Sequence, residues 1–537
     1  MRAWLPAVVA TLALGACTEN KITYTSRPPF NPPPDAVNGF LGYYQKAKQQ
    51  TVCGNCHTSQ QSTWPGTKHA AAWATLEGAT AGNPPGSCRG CHSVTQRGNL
   101  VPDSIKAGYD AVPDSNYWDV QCESCHGPGY NHVLSPSKAN VLLAYLNVPT
   151  DTTVAVTSPT CAACHNDTHH PFVEEWSQSG HATVVTQAIS NGGSCWSCHE
   201  ARSVLKAWGV NTNYVEAGDP INTSTAMPMV CGVCHDPHSA GNAGQLRWAI
   251  DNPDPAQNLC MKCHLRSVVP SASSNRGPHA PQGGVLLGYA GWWPDVVDTI
   301  TVTHGNVAVN PRLCAGCHVN AVTVTDTAGN FSFQSVGHLF KPDPCVDASG
   351  KPTAADCPRP GDAGYASGSR YFTGCQAAGC HNSPTQAEQA MASQRAIVGA
   401  LADALWKDSN GNQVLYTTGS GASAHCPSSP FTAFDPGDTG LLTELSAAQA
   451  DSALCASDGV VSVAEGAYFN VQLVGENRYA NGDGSFGVHN PLLTQQLLAT
   501  SVTAVQNRYG VLAPPAVRDL VNQVLRKVEA VRAPSGR

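Results

Sequence analysis

The sequence predicts a chain that is mostly coil with short α-helices, little β structure and an α-helical C-terminal region. Three observations carry that expectation. The 537 residues include 50 Gly and 39 Pro, a content that favours many turns and short elements. A Cys-x-x-Cys-His pattern recurs between Cys53 and His318. Sustained helical periodicity appears only later, from about Gln386 to Trp406 and again near the end of the chain.

Composition removes several classes of function. Charged residues are 13 % of the chain, with 30 Lys+Arg against 38 Asp+Glu and a net charge of −8. A chain kept disordered by charge carries more of it, and no Lys/Arg block suited to a phosphate backbone occurs, so nucleic acid is not an expected partner. The informative counts are 23 Cys and 20 His.

Residues 1–16 (MRAWLPAVVATLALGA) combine one Arg with a short apolar stretch ending in small residues, as in an export signal too short to span a bilayer. Leu14 to Cys17 reads LGAC, which resembles a bacterial lipobox with Cys17 as the lipidated residue. Residues 17–38 then form the lipobox Cys and a Pro-rich tether. An exported protein held at the outer membrane or cell surface through a lipid on Cys17 is the resulting expectation.

The repeated pattern comprises Cys53/Cys56/His57, Cys88/Cys91/His92, Cys122/Cys125/His126, Cys161/Cys164/His165, Cys195/Cys198/His199, Cys231/Cys234/His235, Cys260/Cys263/His264 and Cys314/Cys317/His318. Chance would place about 0.04 such patterns in a chain of this composition. Two thiols add to the vinyl groups of haem, and the next His is placed to bind the iron as proximal ligand. Zinc knuckles and disulfides need no His after every second Cys. A ninth site is expected at Cys375/Cys380/His381, where four residues separate the thiols. The cofactor expectation is therefore nine covalently attached haem c groups. Besides Cys17, four cysteines remain, and their order in an exported chain suggests disulfides Cys345 with Cys357 and Cys426 with Cys455.

Nine proximal His leave eleven others. His69, His132, His169, His170, His181, His238, His279, His304, His338 and His489 are distal candidates, with one of the adjacent His169 and His170 expected to serve; His425, beside Cys426, has the weakest surroundings. Spacing limits the pairings. His238 is three residues past His235, a span of at most roughly 10 Å, too short to place both imidazoles on opposite sides of one iron. His238 should bind a different haem, as should His132 relative to His126 and His169 or His170 relative to His165. One peptide segment then ties two haems together.

These residues resemble the multihaem c-type cytochromes of bacterial respiratory chains over about residues 50 to 382. VCGVCHDPHSAGNAGQLRWA followed by LCMKCH (Val230 to His264) is similar to a doubled CxxCH module. VQCESCHGPGYNH (Val120 to His132) and EEWSQSGHA (Glu174 to Ala182) resemble segments of cytochromes related to the octahaem and decahaem families, and GVHNP (Gly487 to Pro491) resembles a late distal-ligand segment. By that resemblance His132, His181, His238 and His489 would be distal ligands. The fold it implies is the multihaem cytochrome c type, coil and short helices wrapped around a haem chain. It also implies electron transfer to redox partner proteins and to an extracellular or periplasmic acceptor, and some extracellular relatives form homopolymeric filaments. Nitrite-reducing members carry a CxxCK motif, which is absent here. That absence, together with a His for every iron, favours an electron carrier over an enzyme; the alternative is a reductase of a nitrogen or sulfur oxyanion with one open haem, the gap falling at His304 or His425.

The expected domains are a multihaem region over 39–382 and a helical C-terminal region over 383–537. In the latter, Met391, Ile397, Val398, Leu401 and Leu405 recur on one helical face, and Pro491 to Tyr509 and Pro515 to Val531 read as closing helices. Residues 409–462 are polar and rich in Gly and Ser, and read as a disulfide-bearing insert. His489 is the expected link from this region back to the haem core.

Overall fold

A computed structural model describes residues 30, 32–82, 85–146, 161–166, 169–272, 277–295, 298–376, 380–419, 421–422, 430–455, 459–474 and 481–532. The expected export signal, Cys17, His425 and Cys426 lie outside them.

Up to residue 376 the chain folds as single helical turns and bends. Its longer pieces are α1 (Ala72–Ala79), α2 (Phe172–Ser177) and α3 (Ala201–Ala207). The helix begun at Phe172 ends at Ser177, and the next α-helix follows at Thr186–Asn191. Strands are short antiparallel pairs, of which β1 (Val322–Thr325) and β2 (Phe331–Ser335) form the longest hairpin. Buried apolar residues in this part fall into four small clusters, such as Val173, Trp176, Val204 and Met227, or Met261, Leu286 and Leu313. They are too small to make a single core.

The large core is C-terminal. It joins α4 (Pro384–Leu405), α5 (Ala447–Leu454), α6 (Val463–Val474), α7 (Pro491–Tyr509) and α8 (Pro515–Arg532) to residues 285–300. Local chemistry sets the helix ends. Ser383 caps α4 by accepting from the Gln386 N–H, and Asn490 caps α7 by accepting from the Leu493 N–H; Pro follows each cap, where its missing N–H costs nothing. Gly510 closes α7 at φ 74°, a left-handed conformation that only Gly adopts without strain. On α4, Val398, Leu401 and Leu405 are buried in this core, whereas Ala387, Met391 and Gln394 line the cavity described below. The helix thus connects the two halves.

The segment read as a polar insert takes part in this core. Leu415, Tyr416, Leu441, Leu442 and Ala450 are all buried in it, and Tyr416–Thr418 pairs with Phe431–Phe434. Its apolar residues are sparse and widely spaced along a polar stretch, so no single window carried the signal.

Two contacts fasten the C-terminal helices to residues 285–300. Asn470 on α6 is fully buried; its Oδ1 accepts from the Trp292 N–H at 2.7 Å, while its Nδ2 donates to the Trp292 carbonyl at 2.8 Å and to Ser501 Oγ at 3.0 Å. Gly466, one turn earlier, lets the Trp292 indole lie directly on the helix backbone, in space that any Cβ would occupy.

Candidate functional site

The spacing of the repeated pattern has a direct structural use. At Cys122–His126 and Cys314–His318 it forms one turn of α-helix, and at His57, His165, His235 and His264 the His N–H donates to the first Cys carbonyl at 2.8–2.9 Å. Positions i, i+3 and i+4 of such a turn share one face, so both thiols and the imidazole address the same space. That space is a continuous cavity of about 3500 Å³ lined by fifteen of the eighteen motif thiols, several times the volume of an ordinary small-molecule pocket of roughly 300–1,000 Å³.

Across the cavity the imidazoles meet in pairs. His57 faces His132 with ring centroids 6.3 Å apart, His165 faces His69 at 6.1 Å, and His126 faces His238 at 6.3 Å. His264 faces His181 at 6.1 Å, His199 faces His279 at 6.1 Å, and His235 faces His338 at 6.3 Å. His381 faces His304 at 6.5 Å and His318 faces His489 at 6.0 Å. Two imidazoles bound to opposite sides of one metal at about 2 Å have centroids roughly 6 Å apart. Direct stacking of the two rings would bring them closer, so each gap has room for one iron.

Hydrogen bonds fix which nitrogen faces inward. Nδ1 lies 2.7 Å from the Gly244 carbonyl oxygen in His235, 2.8 Å from that of Val488 in His304, 2.9 Å from that of Phe340 in His318 and 3.0 Å from that of Ser137 in His132. A carbonyl accepts only from a protonated Nδ1, which leaves the Nε2 lone pair for a metal. His489 is held by a carboxylate, with Nδ1 2.6 Å from Asp483 Oδ1 on a buried Asp483. Burial drives the imidazoles toward the neutral, ligating form: desolvation and neighbouring imidazoles lower His165, His181 and His318 to about 4. His489 is the exception, raised by Asp483 against the opposing effect of burial.

The segment Gly487 to Pro491 positions two rings together. It carries His489, orients His304 through the Val488 carbonyl, and is tied to residue 300 by Asn490 Nδ2 donating to the Ile300 carbonyl at 2.6 Å.

The thiols reveal the order in space. Cys53 lies beside Cys122, Cys91 beside Cys164, Cys161 beside Cys231, Cys198 beside Cys263 and Cys260 beside Cys314. Cys125 lies within electrostatic reach of Cys161, Cys234 of Cys263, and Cys317 of both Cys375 and Cys380. Named by their His, the sites run 57, 126, 165, 235, 264, 318, 381, with the His92 site attached at 165 and the His199 site at 264. Sequence reading gives no access to this order, because every link joins residues far apart in the chain.

The ring across from His165 is His69, and His169, a distal candidate for another haem, stacks on Phe331 at 4.6 Å against β2. His304, a distal candidate and in the reductase alternative the place of a gap, faces His381. Cys53, Cys56 and Cys195, expected to hold porphyrins, are the motif thiols off the cavity wall, and Cys56 is exposed. Cys161 and Cys380 are exposed too, but both line the cavity. Cys375 and Cys380 are free thiols, as a covalent cofactor requires, and are not joined to each other. Cys345 and Cys357 are disulfide-bonded; Cys455 is also in a disulfide, and its expected partner Cys426 lies outside the described residues. Met227 and Met229 pack with Trp176 and Val230.

The family described as cytochrome c554 and c-prime matches residues 52–127, and the doubled CXXCH motif family matches residues 224–268. The chain is 25 % identical over 295 residues to the C-type polyheme cytochrome OmcB of Geobacter sulfurreducens, covering 49 % of this chain and 37 % of OmcB. It is 23 % identical over 254 residues to the multiheme cytochrome MtrA of Shewanella baltica, covering 44 % of this chain and 66 % of MtrA. The chain therefore spans less than two thirds of either relative. The crystal structure of the outer cell wall cytochrome OcwA aligns over 78 % of this chain and 76 % of its own, at 18 % identity and a TM-score of 0.40.

Proposed function

We propose that this chain, which is a multihaem c-type cytochrome, carries electrons along nine haems at the cell surface as part of extracellular respiration. The observation that carries the reading is the set of eight facing imidazole pairs spaced for one iron each. Haem supplies one-electron redox chemistry, and ligation by two His without Met favours low potentials. The protein residues hold and tune. Each Cys pair fixes a porphyrin covalently, each Nδ1 partner keeps Nε2 on the iron, and contacts between motif sulfurs such as Cys53 and Cys122 keep successive haem edges adjacent. Closeness of that kind is what a multi-step carrier requires.

The seven-site series, with its ends at the His57 and His381 sites, supports entry at one end and exit at the other. The partners are a redox protein donor and an extracellular or periplasmic acceptor. Export, a lipid on Cys17 and attachment to the outer membrane follow from the first 17 residues. Among the described residues no helix is long and apolar enough to cross a membrane. A homopolymeric filament would extend the same series between copies.

Reoxidation of the reduced holoprotein tests this reading. Rapid oxidation by a soluble ferric chelate, with slow oxidation by nitrite, hydroxylamine and tetrathionate, is the expected result. Fast turnover with one of those three would make the chain a reductase.

A further inference from the structure

The His181/His264 pair differs from the other seven facing pairs in the angle between its rings. Its planes lie 75° apart, close to perpendicular, whereas those of the other seven lie 20–57° apart. Contacts hold both rings against turning. His264 Nδ1 lies 3.3 Å from Gln282 Oε1. The His181 ring meets the Phe340 ring edge to face, with centroids 4.5 Å and planes 85° apart, an arrangement that aromatic rings favour.

Phe340 occupies this place under strain. Its φ is 55°, a left-handed backbone that a bulky residue adopts only where its surroundings enforce it. Here they do. Glu175, buried on α2, accepts from the Val336 N–H at 3.0 Å and from the His338 N–H at 2.7 Å. Gly337, at φ 80°, packs so closely that a Cβ on it would lie 2.6 Å from the Asn320 nitrogen, and its carbonyl accepts from the Phe340 N–H at 3.2 Å. The strained residue serves two pairs at once: its carbonyl oxygen is 2.9 Å from His318 Nδ1 while its ring rests on His181.

Ring angle is a lever on a low-spin haem iron, beside ligand identity and hydrogen bonding to the ligands. Parallel imidazoles donate π density to the same iron d orbital and stabilise the ferric state. Crossed imidazoles leave two d orbitals nearly degenerate, so the ferric iron is magnetically more anisotropic and easier to reduce. The site with crossed rings is also a branch of the series: Cys263 lies beside Cys198 and within reach of Cys234, and Cys260 lies beside Cys314.

Resting on the haem loading proposed above, we propose that Phe340 is a positioning residue: it holds His181 crossed over His264, and so makes the haem on Cys260 and Cys263 easier to reduce than parallel rings would. An electron then dwells longer at the branch, from which the His199 and His318 sites are both reached.

Low-temperature paramagnetic resonance of the holoprotein during stepwise reduction tests the proposal, with haem counted by pyridine haemochrome. The most anisotropic low-spin signal of the wild-type protein should integrate to one iron. In Phe340→Ala that signal should give way to a rhombic low-spin signal of lower midpoint potential, at an unchanged haem count. Phe340→Leu, which keeps the bulk and loses the aromatic edge, should act in the same direction. A signal that neither variant moves overturns the proposal and leaves the electron-carrier reading standing; a wild-type haem count well below nine would instead undermine the loading. His181→Ala fixes the location without touching Phe340: it should abolish the anisotropic signal and add one high-spin iron. Survival of the signal in that variant overturns the assignment.

Discussion

His238 and His126 face each other with ring centroids 6.3 Å apart and planes 21° from parallel, while His235, three residues before His238, faces His338. One short turn therefore serves two facing pairs. Asp236 reinforces it: its Oδ1 accepts from the His238 N–H at 3.1 Å, and its Oδ2 lies 3.6 Å from Arg247 Nη1.

If His238 is the distal ligand of the His126 haem, His238→Ala converts one haem from low to high spin and leaves the haem count unchanged. Paramagnetic resonance of the oxidised variant, with a pyridine haemochrome count, reads both quantities. An unaltered low-spin population would show that His238 is not a ligand.

Asp483 should set the potential of the His318/His489 haem. A buried carboxylate bonded to a ligand imidazole increases its basicity and favours the ferric state. Asp483→Asn removes a charge-assisted bond worth about 1.5–3 kcal/mol, so one haem's potential should rise by about 60–130 mV. Spectropotentiometric titration measures it, and a superimposable titration would refute the role.

Asn470→Leu leaves the Trp292 N–H and carbonyl without their side-chain partner inside the C-terminal core. Orphaned buried polar groups cost about 1–3 kcal/mol each, so a loss of about 2–6 kcal/mol is expected. Chemical denaturation followed by far-ultraviolet circular dichroism should show it, while the haem spectrum of the folded variant stays unchanged.

The Cys345 to Cys357 bridge closes a short loop, with a sequence separation of 12. Replacing both cysteines by Ser should cost about 3 kcal/mol with no loss of haem. A reduced haem count in the double variant would mean that these thiols serve cofactor attachment instead.

The motif thiols and imidazoles that come together along the cavity were legible in the sequence because a one-turn spacing brings them to one face. That spacing says nothing of which thiol faces solvent, as Cys56 does, because exposure depends on what the rest of the chain brings alongside. The span argument also separated His238 from the iron of His235, since it needed only the length of a three-residue segment. Which far-off ring faces which was not legible: His69 and His165, or His318 and His489, are joined only by the path of the intervening chain. Helix α7 was readable to the residue from Pro491 and Gly510, whereas Leu415, Leu441 and Ala450 gave no periodic signal although each is buried.

The facing pairs also impose a schedule on biogenesis. As the chain emerges from its N-terminus, His57, His126, His199, His235 and His318 each appear before the ring that faces them, the last waiting for His489 at the head of α7. A cofactor bound early at one of these five motifs would persist half-ligated while between 75 and 171 further residues emerge. Final closure of the molecule belongs to its haem-free tail, so a truncation before residue 489 would strand an iron far from the cut.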